Sequence, residues 1–156
     1  MPRKKIVLHK RERLDPVYSN KLIGKVIGKL IKDGKRLRAE QIIYNALDIV
    51  AEKTGKKPVQ VMEEVVDLCR PRVEVKPRRV GGATYQIPIE VSPDRGEALA
   101  IKWIVTFSIK RKGIPMKKRL AQEMLDAYAS QGGAFRKKED THKMAEANRA
   151  FAHYRW

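Results

Sequence analysis

A single cysteine, Cys69, stands among 156 residues, so no internal disulfide can form and no paired Cys-x-x-Cys metal site exists. Its place in an apolar-periodic stretch marks it as a buried, inert thiol. The three histidines, His9, His142 and His153, are scattered, and none neighbours Cys69 in sequence. With neither metal-ligand spacing nor a base beside a nucleophile, no metal, cofactor, small-molecule substrate or enzymatic turnover is expected. Long apolar runs are also missing: the longest is four residues, Ala98 to Ile101, whereas a membrane-spanning helix needs about 20. The start, MPRKKIVLHKRER, follows its positive head with only Ile6, Val7 and Leu8, short of the roughly 7 to 15 apolar residues of a signal peptide. A cytoplasmic protein without membrane attachment is the expectation. Glycine motifs for phosphates are absent too. Gly24 and Gly28 form GxxxG and Gly132-Gly133 precedes a basic stretch, but neither matches GxxxxGK[ST] or GxGxxG, so these glycines read as packing and capping residues. Of the acidic pairs, Glu63-Glu64 reads as helix surface and Glu139-Asp140 as a helix start.

Acidic residues are scarce. Asp plus Glu number 18 against 35 Lys plus Arg, a net charge of +17 that repels itself unless a polyanion neutralises it. The surplus is dispersed. Residues 1–13 carry six basic residues and one acid, residues 70–79 five and one, and residues 110–119 six and none. Several separate basic stretches suit a broad docking surface for nucleic acid.

The hydrophobic share, 42%, suffices for one modest core in a chain of this length. Residues 1–14 are too charged to bury and form a flexible basic arm; residues 15–156 form one helical domain. Ser19 or Asn20 can cap a first helix in which Leu22, Ile23, Val26, Ile27, Leu30 and Ile31 share one side. Lys21, Lys25, Lys29 and Lys32 fall opposite, as a solvated face. A second helix runs from KRLR to Gly55, and a third opens at Pro58 and halts at Pro71. The period then changes to two: Val73 and Val75 alternate with polar neighbours, as do Tyr85, Ile87, Ile89 and Val91. A two-stranded hairpin over residues 72–91 follows, with Gly81-Gly82 as its tight turn and one apolar side resting on the helices. Pro77 and Pro88 exclude a central strand of a larger sheet. Ser92-Pro93-Asp94 starts a fourth helix whose Leu99, Ile101, Trp103, Ile104, Val105, Phe107 and Ile109 cover most of its circumference, as in a central helix. Pro115 opens a fifth, ended by Gly132-Gly133, and a polar sixth follows. The fold class is therefore mainly α: about six helices in a bundle-like body with a protruding β-hairpin and basic terminal arms.

Two features carry the functional reading. Arg78 and Arg79 beside the Gly-Gly turn either guard a sheet edge with charge or reach toward an anion. At the end, 148–156, Phe151, Tyr154 and Trp156 interleave with Arg149, His153 and Arg155; such rings either stack on unpaired bases or fold back on the helices. RNA is favoured over duplex DNA because no helix-turn-helix, zinc finger or basic zipper is present. A DNA-bending architectural protein with a basic β-arm is the alternative, and an RNA-modifying enzyme lacks its polar pocket.

The segments DPVYSNKLIGKVIGKLIKDGKRLRAEQIIYNAL, VKPRRVGGATYQIPIEVSPDRGEALAIKWIV and MAEANRAFAHYRW, in this order, resemble the bacterial ribosomal protein S-seven family of the small subunit. The similarity runs from about Asp15 to Trp156. It implies a non-enzymatic helical protein that binds the 3′ major domain of 16S rRNA and nucleates assembly of the subunit head. It further implies a hairpin and C-terminal end near exit-site tRNA and the mRNA path, and contacts with ribosomal proteins S-nine and S-eleven. By position, Arg78, Arg79, Gly81, Gly82, Asn148, Arg149, His153, Tyr154, Arg155 and Trp156 resemble the tRNA- and mRNA-proximal residues. Lys35, Arg36 and the arm residues Arg3, Lys4, Lys5, Lys10 and Arg11 resemble rRNA contacts. The charge clusters add Arg72, Lys76, Arg95, Lys110, Arg111, Lys112, Lys117, Lys118 and Arg119 to that set.

Overall fold

Asn20 begins the first helix as its composition requires: its side-chain oxygen accepts from the Leu22 and Ile23 amides at 2.7 and 3.2 Å, satisfying two otherwise orphaned donors. In the computed structural model, which describes residues 14–154, helix α1 spans Lys21–Leu30, α2 Arg36–Thr54 and α3 Pro58–Cys69. Strands β1 (Val73–Val80) and β2 (Ala83–Glu90) form an antiparallel pair, followed by α4 (Pro93–Lys110), α5 (Met116–Tyr128), α6 (Gly133–Ala147) and a short 3₁₀ helix over Arg149–Tyr154. The expected mainly helical body with a two-stranded hairpin is thus what forms. Its boundaries follow local chemistry. Gly55 closes α2 at φ 69°, a left-handed conformation that glycine adopts without a Cβ penalty, and proline occupies the first turn of α3 and α4.

The core is one cluster to which α1 to α5 contribute fully buried aliphatic side chains such as Ile23, Ile43, Leu47, Val65, Ile104 and Leu120. Burying each contributes about 1.5–3 kcal/mol, so the helices hold one another rather than standing alone. Helix α4 packs against α1, α3, α5 and α6, as its wide apolar surface predicts. Its last turn departs from that pattern, with Ile109 58% exposed. Cys69 is buried, and desolvation pushes its thiol up to about 12, which keeps it protonated and inert.

Three local expectations are corrected. The register pairs Glu74 with Ile89, Val75 with Pro88 and Lys76 with Ile87, so Val73 and Val75 lie on the opposite face from Tyr85, Ile87 and Ile89. The hairpin therefore has no single apolar side, and Glu74 is buried because Arg95 neutralises it. Glu139-Asp140 sits in the middle of α6 rather than at a helix start, because α6 already begins at Gly133. Gly132-Gly133 serves that start rather than the end of α5: a Cβ on Gly133 would lie 2.6 Å from the Phe107 ring, and one on Gly132 2.9 Å from the Ala127 amide nitrogen. Only a residue without a side chain lets α6 approach α4 and α5 this closely.

Candidate nucleic-acid interface

Gly81 and Gly82 form the hairpin turn at φ 57° and 91°, the two left-handed residues that match the twist of the flanking strands. Separated from this turn by Val80, Arg78 pairs in register with Tyr85 and Arg79 with Thr84, so the two guanidinium groups leave opposite faces of the ribbon. Both are exposed, and no described residue forms an ion pair with either. The Tyr85 ring is met by Phe151 at 5.2 Å and Tyr154 at 5.5 Å, and His153 lies 4.0 Å from Tyr154. Two of the C-terminal rings thus fold back, onto the hairpin rather than the helical body, and brace it. Arg149 and His153 remain exposed, and Asn148 closes α6 by donating to the Met144 carbonyl at 2.7 Å. Arg155, Trp156 and the arm residues Arg3, Lys4, Lys5, Lys10 and Arg11 lie outside the described residues.

The base of the hairpin is fastened from two sides. Arg95 on α4 grips Glu74 with Nε and Nη2 at 2.7 and 2.9 Å, while Lys76 stands 3.9 Å from the same carboxylate. On α6, His142 Nε2 accepts the Arg72 amide at 3.0 Å and Lys138 donates to the Leu68 carbonyl at 2.8 Å. Burial, then the cations Lys138 and Arg72, hold the His142 imidazole below its ordinary pKa, so the ring is a neutral acceptor. The Arg72 side chain stays exposed.

The basic break between α4 and α5 divides in two. Arg111 turns inward: its Nε and Nη2 meet Glu123 Oε2 at 2.9 and 2.6 Å, and Nη2 also meets Asp126 at 2.5 Å. Glu123, only 1% exposed, uses its other oxygen to accept the Ala134 amide at 2.9 Å, tying α5, the break and the start of α6 together. Arg119 likewise donates to the Arg111 carbonyl at 2.7 Å. Lys112, Lys117 and Lys118 are exposed around this knot, and Lys110 lies 4.9 Å over the Phe107 ring. No pattern in the sequence marks Arg111 and Arg119 as internal, because their acceptors are a buried carboxylate and a carbonyl.

Lys35 stands exposed at the position before α2 without a side-chain cap hydrogen bond, and Arg36 pairs with Glu40 one turn on at 2.7 Å. One further feature escaped the sequence. Between α1 and α4 runs a groove of about 500 Å³ with Gly28, Ala98, Leu99 and Ile101 along it and Lys25, Lys29, Arg95 and Lys102 around it. Lys25 and Lys29 of the lysine stripe are therefore one side of a cationic cleft, although Lys25 is paired with Glu97 at 2.5 Å. The only signal in the sequence was the lysine spacing itself; the matching cations lie some 70 residues away.

Among the described residues no group of three or more His, Cys, Asp and Glu side chains is placed to hold a metal ion, and no helix is long and apolar enough to cross a membrane. The described residues form a helical scaffold with a braced two-stranded ribbon and an exposed basic surface, the architecture of a structural protein suited to a polyanion. Comparison with known proteins makes this specific. The family model described as ribosomal protein S7p/S5e matches residues 2–149. The small ribosomal subunit protein uS7 of Caldicellulosiruptor saccharolyticus is 58% identical over 158 aligned residues, and those of Dictyoglomus turgidum and Acetivibrio thermocellus are 54% and 53% identical over 156. In each case the alignment covers the whole of both chains. The chain belongs to the ribosomal protein S7p/S5e family. These relatives are ribosomal proteins rather than enzymes, and they lend no support to the DNA-bending alternative.

Proposed function

We propose that the chain is a non-enzymatic structural constituent of the small ribosomal subunit in the cytoplasm. In this reading it binds 16S rRNA directly and helps to nucleate the subunit head. The observation that carries it is the match over the full chain to small-subunit relatives at more than half identity, on a molecule with a charge of +17. The docking surface consists of cations that the protein does not use internally, Lys35, Arg72, Lys112, Lys117 and Lys118 with Lys29 and Lys102 of the α1 to α4 cleft, together with the basic residues of 1–13. Arg95, Arg111 and Arg119 act mainly as fasteners that hold this surface in shape, because each donates to a carboxylate or carbonyl of the protein itself. The hairpin tip, with Arg78, Arg79, Gly81 and Gly82, and the C-terminal end from Asn148 extend toward exit-site tRNA and the mRNA path. Ribosomal proteins S-nine and S-eleven are the protein neighbours.

Arginine and lysine displace condensed counterions when they meet phosphates, so affinity falls with salt in proportion to the number of phosphates engaged. Lys117→Ala/Lys118→Ala should leave helix content unchanged. In a salt titration against a 16S head-domain transcript, each phosphate that this variant no longer neutralises should flatten the log–log slope by about 0.7–0.9. An unaltered slope would remove these lysines from the docking surface; tighter binding to equal-length duplex DNA would overturn the RNA reading altogether. Arg78→Ala/Arg79→Ala should instead weaken tRNA crosslinking to the tip in assembled particles, and unchanged crosslinking would remove the tip's role.

A further inference from the structure

Where the hairpin base meets α4 and α6, the surface opens into a recess of about 190 Å³, the volume of about six water molecules. Val75, Leu99, Trp103 and Met144 supply its apolar walls. Trp103 and Leu99 are half-buried and Met144 is 50% exposed, so an indole, a thioether and an isobutyl group stay open to solvent in a chain with 6% aromatic residues. Trp103 packs part of its ring against the core and the rest of the indole faces the recess, while the same helix buries Ala100, Ile101, Ile104 and Val105. The rim is polar: Lys137 and Thr141 from α6, and Glu74 from β1. Arg95 grips both oxygens of Glu74 and Lys76 stands nearby, so the carboxylate is neutralised rather than repellent to an anion.

We propose that this recess receives one unstacked RNA base, laid against the Trp103 indole, with its flanking phosphates on Lys137 and the Lys76/Arg95 side. The proposal deepens the rRNA-docking reading and rests on it. A base offers what the recess lacks, a planar apolar face with polar edges, and its attached phosphates complement the cationic rim; an aliphatic peptide side chain would bring no such anion. Bases splayed from irregular RNA stack on aromatic side chains in this way, and Trp presents the largest face. Thr141 keeps oxygen lone pairs for a base amino group while its proton bonds the Lys137 carbonyl at 2.8 Å.

Trp103 reports on its own occupant. The chain has two tryptophans, so Trp156→Phe leaves Trp103 as the sole indole fluorophore. Adding a 16S head-domain transcript should quench its emission, whereas heparin, a polyanion without bases, should not. Trp103→Ala should weaken binding about tenfold and Trp103→Phe about twofold or less, since the latter keeps a ring. Met144→Glu, at an exposed position that leaves folding intact, should weaken binding by placing a carboxylate beside the phosphates. Unchanged Trp103 emission with the transcript bound by gel shift overturns the base site and leaves the docking reading standing. Equal quenching by heparin overturns it too, as does unchanged affinity in both Trp103→Ala, where it folds, and Met144→Glu. Failure of the unmodified protein to bind the transcript at low salt overturns the docking reading instead, and the recess with it.

Discussion

Replacing Glu123 with Ala takes the acceptor from three donors at once: Arg111 Nε at 2.9 Å, Arg111 Nη2 at 2.6 Å and the Ala134 amide at 2.9 Å. The amide is fully dependent on it, because Ala134 is buried and water cannot substitute; stranding such a donor costs about 1–3 kcal/mol. Arg111 fares better. Its side chain is 25% exposed and keeps Asp126 at 2.5 Å, so its share falls near the low end, about 1–2 kcal/mol, rather than the 3–5 kcal/mol of an uncompensated buried charge. Together the loss should be about 3 kcal/mol, which for a chain of this size lowers Tm by about 6–12 °C. Glu123→Gln keeps an oxygen for the amide and should lose about half as much. Urea denaturation followed by circular dichroism reads both, and a cycle with Arg111→Ala isolates the pair. A loss below about 1 kcal/mol for Glu123→Ala, or a coupling indistinguishable from zero, would refute the idea that this knot holds α5, α6 and the basic break in one arrangement. Arg111→Ala also separates fastening from docking: stability should drop while the RNA salt slope at temperatures where the variant is folded stays as it was.

Two further outcomes follow from the hairpin supports. The folded-state pKa of His142 lies below its unfolded value of about 6.5, so its contribution is complete above that pH and is lost as pH falls toward the depressed folded value. Tm should therefore decline on acidification below about pH 6.5, and His142→Gln, which keeps an acceptor but cannot titrate, should remove that part of the decline; an identical pH profile in the variant would exclude His142 as its source. Tyr85→Ala removes the ring that Phe151 and Tyr154 share, a loss of about 0.5–1.5 kcal/mol per ring pair beyond buried area. Hydrogen exchange of the Phe151 amide, which bonds the Asn148 carbonyl at 3.0 Å, should accelerate in that variant, and unchanged protection would mean the brace is held by something else.

Local signals were the legible ones. Asn20, Gly55, Pro58 and the Gly81-Gly82 turn fix backbone geometry through their own chemistry, and each lies at the boundary its residue type implies. Family resemblance pointed to the hairpin tip and C-terminal end as the functional region. Pairings across distance were not legible. Alternation in β1 and β2 was visible separately, but their relative phase depends on register, and the two-residue turn sets Val75 opposite Pro88 rather than beside Ile87. The burial of Glu74 and Glu123 was not legible either, because burial of a carboxylate depends on a guanidinium arriving from elsewhere, Arg95 from 21 residues on and Arg111 from 12 residues back. The α1 to α4 cleft needed the same kind of information.

Those buried carboxylates also explain how so basic a chain stays folded before it meets a polyanion. Acids are few, and several of the paired ones sit at joints: Glu97 links α4 to α1, Glu74 links the hairpin to α4, and Glu123 with Asp126 links α5 to the basic break. Each joint neutralises the cation that would otherwise repel its neighbours where the elements must approach. The unneutralised charge is left at the hairpin tip and on Lys29, Lys112, Lys117 and Lys118, where separation and solvent weaken mutual repulsion. Converting a joint arginine to lysine would preserve net charge yet lose the bidentate grip, whereas the same exchange at Arg78 or Arg79 would keep a point charge for phosphate. Fold and docking therefore draw on different subsets of one excess of basic residues, and the geometry of the acids decides which residue belongs to which.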